Sequence, residues 1–151
     1  MVSTDLLRRY QFFALLDETQ RKGIAAITEE VAIEQGTTIF EEGQDARALY
    51  VLMHGSVDLY LTGGKDPNKP LWVGQINPGE PFGISALIEP HVLTASARAT
   101  VPSRALRIDG AILRAMCEID PRLGHILARQ VAKAAMERLH YAHVQLAAAQ
   151  V

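Results

Sequence analysis

The stretch of the chain best suited to binding chemistry is residues 71–99, LWVGQINPGEPFGISALIEPHVLTASARA. Its pattern predicts a strand, a tight Pro78-Gly79 turn, one short helical turn, a loop and a second strand. The first backbone N–H groups of a helical turn have no partner within that turn, and such groups can form a cradle for an anion. Hydroxyl groups at Ser85 and Thr94 can assist this cradle. The segment therefore predicts a small site for an anionic group.

The candidate ligand-binding residues belong to this short turn and to the start of the strand that follows it. They are Gly83, Ile84, Ser85, Ala86, Leu93, Thr94 and Ala95. The glycines and prolines of the segment also have a purely structural interpretation, as turn residues that any barrel needs. The two hydroxyl residues are either ligand contacts or caps of the local backbone. Two basic residues nearby, Arg98 and His91, are minor candidates to meet an anion: the strand position of Arg98 disfavours it, and a solvated loop position is favoured for His91.

Length and composition limit the class of protein. The chain has 151 residues, of which 48% are hydrophobic and 21% are charged, and we predict a single globular domain over residues 1–151. The net charge of -2 gives no overall basic field that would attract nucleic acid or anionic lipid. The single cysteine, Cys117, cannot form an internal disulfide. No signal peptide and no apolar run of membrane-spanning length occurs, which predicts a cytoplasmic protein that binds neither membranes nor nucleic acid directly.

The central part of the chain provides the strands that must position this segment. Short β-rich runs alternate with turn residues about every ten residues, which is typical of an antiparallel barrel or sandwich. Strands are predicted at residues 31–33, 38–40, 49–53, 57–61, 71–76, 94–100 and 105–108. The polar sequence GGKDPNKP at residues 63–70 predicts a hairpin loop that we expect to be mobile.

Helices are predicted on both sides of the strands. Apolar residues at helical spacing predict a first helix over residues 5–16, and Asp17 with Gln20 three positions later predicts a capped second helix. The order of elements favours a mainly β fold, a double-stranded β-helix (jelly roll) with N-terminal helices and a long C-terminal helix. The barrel is predicted over about residues 28–108 and the C-terminal helices over about residues 110–148.

The last predicted helix is unusually long. Asp120 is followed by Pro121 at the first helical position, which is a strong start signal. A helix of about 28 residues is roughly 42 Å long, which exceeds what a domain of this size covers. One broad stripe contains Leu127, Val131, Ala134, Ala135, Arg138, Leu139, Ala142 and Leu146. This stripe predicts a homodimer through the C-terminal helix, weakened by a charge at Val131 or Ala135.

Three stretches resemble motifs of the cyclic-nucleotide-binding domain family, found in the sensor halves of Crp/Fnr-type regulators and in cyclic-nucleotide-dependent kinases. Residues 39–44 (IFEEGQ) resemble the family's turn after its second strand, and residues 49–57 (LYVLMHGSV) resemble its aromatic-hydrophobic hairpin. Residues 78–87 (PGEPFGISAL) resemble the opening of its phosphate-binding cassette. With its helical flanks the resemblance covers about residues 6–145. It implies a regulatory jelly roll, here without the DNA-binding helix-turn-helix that follows in the family's transcription regulators.

The resemblance also implies that this cassette lacks two side chains of the family. The family has a glutamate directly after the Phe-Gly pair, which binds the ribose 2′-hydroxyl, and Ile84 stands at that position. The family has an arginine at the start of the following strand, which pairs with the cyclic phosphate, and the alignment places Leu93 there. No arginine lies between Arg47 and Arg98, so no shift of register restores it.

These two differences disfavour binding of a cyclic nucleotide. The lost charged contact costs about 2–5 kcal/mol and the lost hydroxyl contact about 1–3 kcal/mol. Together they weaken binding by at least about a hundredfold. We therefore expect no cofactor and no ordinary binding of cyclic AMP or cyclic GMP, because Ile84 and Leu93 favour a less charged small-molecule ligand or none.

Catalytic and metal-binding motifs are missing from the sequence, which contains no nucleophile elbow, phosphate-loop lysine motif or metal-binding histidine pattern. We therefore expect no enzymatic activity and no metal site. The expected function is a stand-alone regulatory or sensor module in signal transduction, with a degenerate cassette, that dimerises through its C-terminal helix. Two alternatives stay open: a ligand-free scaffold for protein interaction or dimerisation, and a regulatory piece of a larger protein.

Overall fold

In the computed structural model, which describes residues 1–62 and 68–150, the β-rich region forms two four-stranded antiparallel sheets. The strands are β1 (Thr28–Ile33), β2 (Thr38–Phe40), β3 (Ala48–His54), β4 (Val57–Leu61), β5 (Leu71–Ile76), β6 (Pro81–Phe82), β7 (Ser96–Ala99) and β8 (Ser103–Asp109). One sheet has the order β1-β8-β3-β6 and the other β2-β7-β4-β5. Buried side chains from both sheets form one shared core cluster, so the predicted jelly roll is confirmed. Residues 63–67 of the predicted hairpin loop lie outside the described residues.

Helices precede and follow the strands in the sequence. They are α1 (Thr4–Arg8), a 3₁₀ turn (Gln11–Phe13), α2 (Glu18–Ala26), α3 (Gly110–Ile119) and α4 (Pro121–Ala149). The Asp17 carboxylate accepts from the Gln20 N–H, while the Gln20 side chain accepts from the Asp17 N–H. Asp120 caps α4 by accepting from the Leu123 N–H at 3.2 Å. Both predicted helix starts are therefore confirmed.

The single helix predicted over residues 5–16 is wrong. α1 ends at Arg8, and the 3₁₀ turn follows as a separate element. The reason lies in Phe12 and Phe13, which are adjacent and almost fully buried, with their ring centroids 5.1 Å apart. Tyr10, between the two elements, is extended (φ -110°, ψ 131°), so the 3₁₀ turn takes a new direction and both rings enter the same core cluster.

The shortest strand was missed by the sequence pattern. β6 has only two residues, too few to show a strand periodicity, and it pairs with β3 through Phe82 opposite Tyr50. These two rings stack with their centroids 5.0 Å apart. The predicted strand at residues 94–100 is also shorter than expected, because β7 begins at Ser96 and leaves Thr94 and Ala95 in the preceding loop.

The surroundings of the long helix α4 differ between its first and second halves. Its buried residues are Leu123, Leu127, Val131 and Ala134, and the first three belong to the same core cluster as residues of α1, α3 and β3. The expectation that Val131 lies in a dimer interface is therefore wrong, because this chain itself covers that residue. Large exposed apolar residues occupy the second half, namely Met136, Leu139, Tyr141, Val144 and Leu146. Within the described residues, no helix combines the length and the apolar character needed to cross a lipid bilayer.

Candidate ligand-binding site

Residues 78–95, called the cassette below, begin with a turn that is fastened to β3. The Gly79 N–H donates to the Leu52 carbonyl at 2.7 Å, and the Leu52 N–H donates to the Glu80 carbonyl at 3.1 Å. Because Leu52 is fully buried in the core strand β3, these two bonds fix the start of the cassette to the rigid part of the barrel.

A 3₁₀ turn, Ile84–Leu87, follows within the cassette and begins at Gly83. Gly83 has φ +65°, and a Cβ there would lie 3.1 Å from the Ala48 carbonyl oxygen, so both backbone conformation and space favour glycine. The Ala86 N–H donates to the Gly83 carbonyl at 3.1 Å. The N–H groups that precede it in the turn have no acceptor inside the turn, as the sequence pattern predicted.

The second part of the cassette is held by the loop between β2 and β3. The Ala46 N–H donates to the His91 carbonyl and the Gly43 N–H to the Leu93 carbonyl, each at 2.8 Å. The Leu93 N–H in turn donates to the Gln44 carbonyl at 2.9 Å. The backbone of the cassette is therefore bonded at both ends to the barrel, which fixes the residues between them.

A cavity of about 220 Å³, called the inner cavity below, lies between the cassette, the barrel and α4. The cassette residues that line it are Gly83, Ile84, Ser85, Leu93, Thr94 and Ala95, together with Phe82. Six of the seven residues predicted from the sequence thus meet at one cavity. The seventh, Ala86, does not line it and is fully buried in the core cluster.

The barrel wall of the inner cavity is apolar. Phe40, Leu59 and Phe82 line it, and the rings of Phe40 and Phe82 have their centroids 6.1 Å apart. On the opposite side α4 contributes Ala135 and Arg138. In the part of the chain that the structure describes, Arg138 is the one charged side chain that lines the inner cavity. The cavity is therefore a mostly apolar space with a cation on its helical wall.

A second cavity of about 460 Å³, called the outer cavity, adjoins the first. The two share Leu59, Thr94, Ala95 and Arg138 in their linings. The outer cavity also has two carboxylates in its wall, Glu80 and Glu137, and neither lines the inner cavity. Among the described residues, carboxylates therefore line only the outer cavity of these two, and the guanidinium of Arg138 lines both.

Arg138 is held by the backbone of the cassette. One of its terminal nitrogens donates to the Pro81 carbonyl, while its Nε is buried without a hydrogen-bond partner. Burial lowers the pKa of Arg138, and the charges of Glu80 and Glu137 act to raise it. Because arginine keeps its proton even so, the group is a partly desolvated cation with an unused donor.

Arg138 was not among the site residues predicted from the sequence. The available signal was a charged residue within the apolar stripe of α4, seven positions after Val131. Arg98 and His91, the basic residues that the sequence places near the cassette, do not line the inner cavity. The Arg98 side chain is exposed and its Nε donates to the Gly36 carbonyl at 3.2 Å.

The described residues contain no group of three or more histidine, cysteine, aspartate or glutamate side chains that could hold a metal ion. The inner cavity offers hydroxyls at Ser85 and Thr94, one guanidinium and an apolar wall. This combination can bind an ionic or polar end of a small molecule against an apolar body.

The fold and the site together define a jelly-roll domain in which a backbone cassette and a C-terminal helix line one cavity. The sequence profile of the cyclic nucleotide-binding domain matches residues 30–120, and the chain belongs to this family. It is a cyclic nucleotide-binding-like regulatory domain.

The solved structures include a similar protein from Geobacter metallireducens GS-15, described as cyclic nucleotide-binding. It is 42% identical with a TM-score of 0.84, and the match covers 93% of this chain and 100% of that chain. Among curated proteins, a potassium channel protein of Rhodopseudomonas palustris is 28% identical over 82% of this chain. A CRP-like cAMP-activated global transcriptional regulator of Mycobacterium tuberculosis is 28% identical over 73% of this chain. The chain spans only 29% and 50% of the length of these two relatives.

Proposed function

We propose that this chain is a non-catalytic sensor domain whose inner cavity binds a small molecule other than an ordinary cyclic nucleotide. The observation that carries this proposal is Ile84, which lines the cavity where the family resemblance implies a glutamate for the ribose hydroxyl. An aliphatic side chain cannot accept that hydrogen bond, so a buried ribose hydroxyl would lose about 1–3 kcal/mol. The cassette also contributes no cation to the cavity, in contrast to the phosphate-binding arginine that the resemblance implies.

The polar groups of the inner cavity support a binding role over a catalytic one. Ser85 and Thr94 carry hydroxyls, and nucleophilic catalysis by a hydroxyl needs an adjacent base. Among the described residues, no histidine or carboxylate lines this cavity. The hydroxyls are therefore suited to donate or accept hydrogen bonds from a ligand that leaves unchanged.

Thermal unfolding in the presence of ligands tests the proposal. We expect no change of Tm with about 1 mM cyclic AMP or cyclic GMP, and a rise with a member of a panel of phosphosugars, carboxylic acids and other metabolites. A rise of several degrees with cyclic AMP would contradict the proposal. If no compound changes Tm while the protein remains dimeric, the result favours a ligand-free scaffold instead.

Rebuilding the cassette provides a second test. The resemblance places the missing glutamate at Ile84 and the missing arginine at Leu93, and both residues line the inner cavity. The double variant Ile84→Glu with Leu93→Arg is therefore expected to gain cyclic AMP binding, measured by calorimetry. Its matched control, Ile84→Glu with Thr94→Arg, places the arginine one residue later and is expected to gain less. A folded Leu93→Arg double variant without such binding would contradict the alignment of these two positions.

We further propose that the chain forms a homodimer through the second half of α4. Positions 132, 136, 139, 143 and 146 repeat at spacings of four and three, the pattern of a two-helix seam. Of these, Met136, Leu139 and Leu146 are 70%, 55% and 59% exposed. Pairing with a second copy of the helix would remove this apolar surface from water.

A second candidate function is regulation of a larger protein or assembly. The lengths of the two curated relatives favour it, since this chain spans 29% and 50% of them. In that case the movement of α4 would act on another segment or subunit. An antibody against this domain would then detect, in the source cells, a polypeptide larger than 16.5 kDa or a stable complex that contains it.

A further inference from the structure

Among the described residues, Arg138 is the one charged side chain that lines the inner cavity. The Arg138 side chain comes from α4, and it reaches across the boundary between the inner and outer cavities. One of its nitrogens bonds the Pro81 carbonyl, but its buried Nε has no partner. A buried donor without a partner is rare and energetically unfavourable, so the guanidinium is incompletely bonded within this chain while its side chain lines both cavities.

The charges around Arg138 show where such a partner would lie. Glu80 and Glu137 lie in the outer cavity, and among the described residues no carboxylate approaches Arg138 closely enough to form a salt bridge. The inner cavity instead places the hydroxyls of Ser85 and Thr94 in the same lining as the guanidinium. An anion is thus favoured on the inner side and repelled by the two carboxylates on the outer side.

We propose that Arg138 is the anion-binding residue of this domain, and that the site takes a small oxyanion-bearing molecule with an apolar body. The phosphate or carboxylate group lies between the guanidinium and the hydroxyls of Ser85 and Thr94. The apolar body packs on Phe40 and Phe82. This inference rests on the proposed ligand-binding function of the cavity and assigns its ligand class.

The proposal also gives the ligand a way to act on α4. Because the guanidinium belongs to α4 and the hydroxyls belong to the cassette, the anion joins the helix to the barrel. A ligand shifts a conformational equilibrium only if it prefers one arrangement, and this ligand prefers the arrangement with Arg138 in the cavity. Binding therefore stabilises the docked position of the helix beyond Ala134.

The test compares phenyl phosphate and benzoate, which combine an oxyanion with an aromatic ring, with the neutral benzyl alcohol. In the wild-type protein we expect both anions to bind more tightly than benzyl alcohol and to shift the Arg138 Nε–H signal in nuclear magnetic resonance spectra. Arg138→Gln is expected to weaken binding of phenyl phosphate by at least about thirtyfold, since it removes a buried charged contact. Inorganic phosphate alone and acetate alone, tested in parallel, separate the contribution of the anion from that of the ring.

Arg114→Gln is the matched control. Arg114 comes from α3 and donates through Nη1 to the Ala86 carbonyl at 2.9 Å, so it is also a guanidinium bonded to the cassette backbone. It lines neither cavity. We expect Arg114→Gln to change phenyl phosphate affinity by less than about threefold, which is under 1 kcal/mol.

Two results would overturn the inference and leave the ligand site intact: equal affinity of wild type and Arg138→Gln for phenyl phosphate, or equal affinity of the wild type for phenyl phosphate and benzyl alcohol. If Arg138→Gln does not fold, the spectra of the wild-type protein test the inference. The inference requires that the Arg138 Nε–H signal shifts with phenyl phosphate and does not shift with benzyl alcohol. If neither these probes nor the metabolite panel bind the wild type, the proposed function itself is wrong.

Discussion

The two halves of α4 have the same helical geometry and opposite surroundings. In the first half, Leu123, Leu127 and Val131 are between 1% and 3% exposed and belong to the core of this chain. In the second half, Leu139 and Leu146 are 55% and 59% exposed. An apolar stripe on a helix therefore indicates that a face requires cover, but it does not identify what provides the cover.

Arg138 lies where this change occurs. It is four residues after Ala134, the last buried residue of α4, and its guanidinium is the last polar group of the helix that bonds the cassette in the described residues. The candidate ligand site is thus next to the part of α4 whose large apolar side chains are exposed. Elements of low local stability are the ones that ligands move most readily.

A charge in the first half is expected to have the largest effect. Val131→Asp places a carboxylate in the core and should lower the free energy of unfolding by at least about 3 kcal/mol, measured by urea denaturation. Ala128→Asp, on an exposed position of the same half, is the control and should lower it by less than about 1 kcal/mol. A Val131→Asp variant that is stable but monomeric would instead support the dimer interface that the sequence stripe predicted.

The helix starts illustrate what the sequence could predict about the fold. The bonds of Asp17 and Asp120 join groups only three residues apart, so local chemistry alone determines them. The break after α1 depends on packing Phe12 and Phe13 into a core assembled from distant parts of the chain, which no local pattern contains. For the same reason β6, which exists only through its pairing with β3, was missed.

A charge in the second half should affect association and not folding. Leu139→Asp is expected to raise the dissociation constant of the homodimer at least about tenfold, because it places like charges in the two-helix seam. The free energy of unfolding of the monomer should change by less than about 0.5 kcal/mol, since the residue is already exposed.

The measurement is sedimentation velocity over a range of protein concentrations. Gln145 is also exposed on this half but lies outside the two-helix seam, so Gln145→Asp should leave the dissociation constant unchanged. If the wild-type protein is monomeric at micromolar concentration, the proposed dimer is wrong.

The candidate site separates in the same way into predictable and unpredictable parts. Gly83, Ser85 and Thr94 were identified because a single contiguous segment forms one wall of the cavity. Arg138 reaches the same cavity from 43 residues beyond Ala95 in sequence, and only the docking of α4 on the barrel brings it there. A charged residue within an apolar stripe indicates a polar environment under that stripe, but its partner remains unspecified without the fold.

The smallest expected effect concerns where the contact between α4 and the barrel ends. Beyond Arg138, the Tyr141 ring meets the Trp72 ring of β5 edge to face, with the centroids 6.5 Å apart. Both side chains are more than a third exposed, so we expect a coupling free energy of only about 0.5 kcal/mol. The measurement is a double-mutant cycle of Trp72→Ala and Tyr141→Ala by urea denaturation, with Leu139→Ala in place of Tyr141→Ala as the control cycle. A coupling of zero in the Tyr141 cycle would place the end of the docked segment at Arg138, and one well above 1 kcal/mol would extend the packed half of the helix past the ligand site.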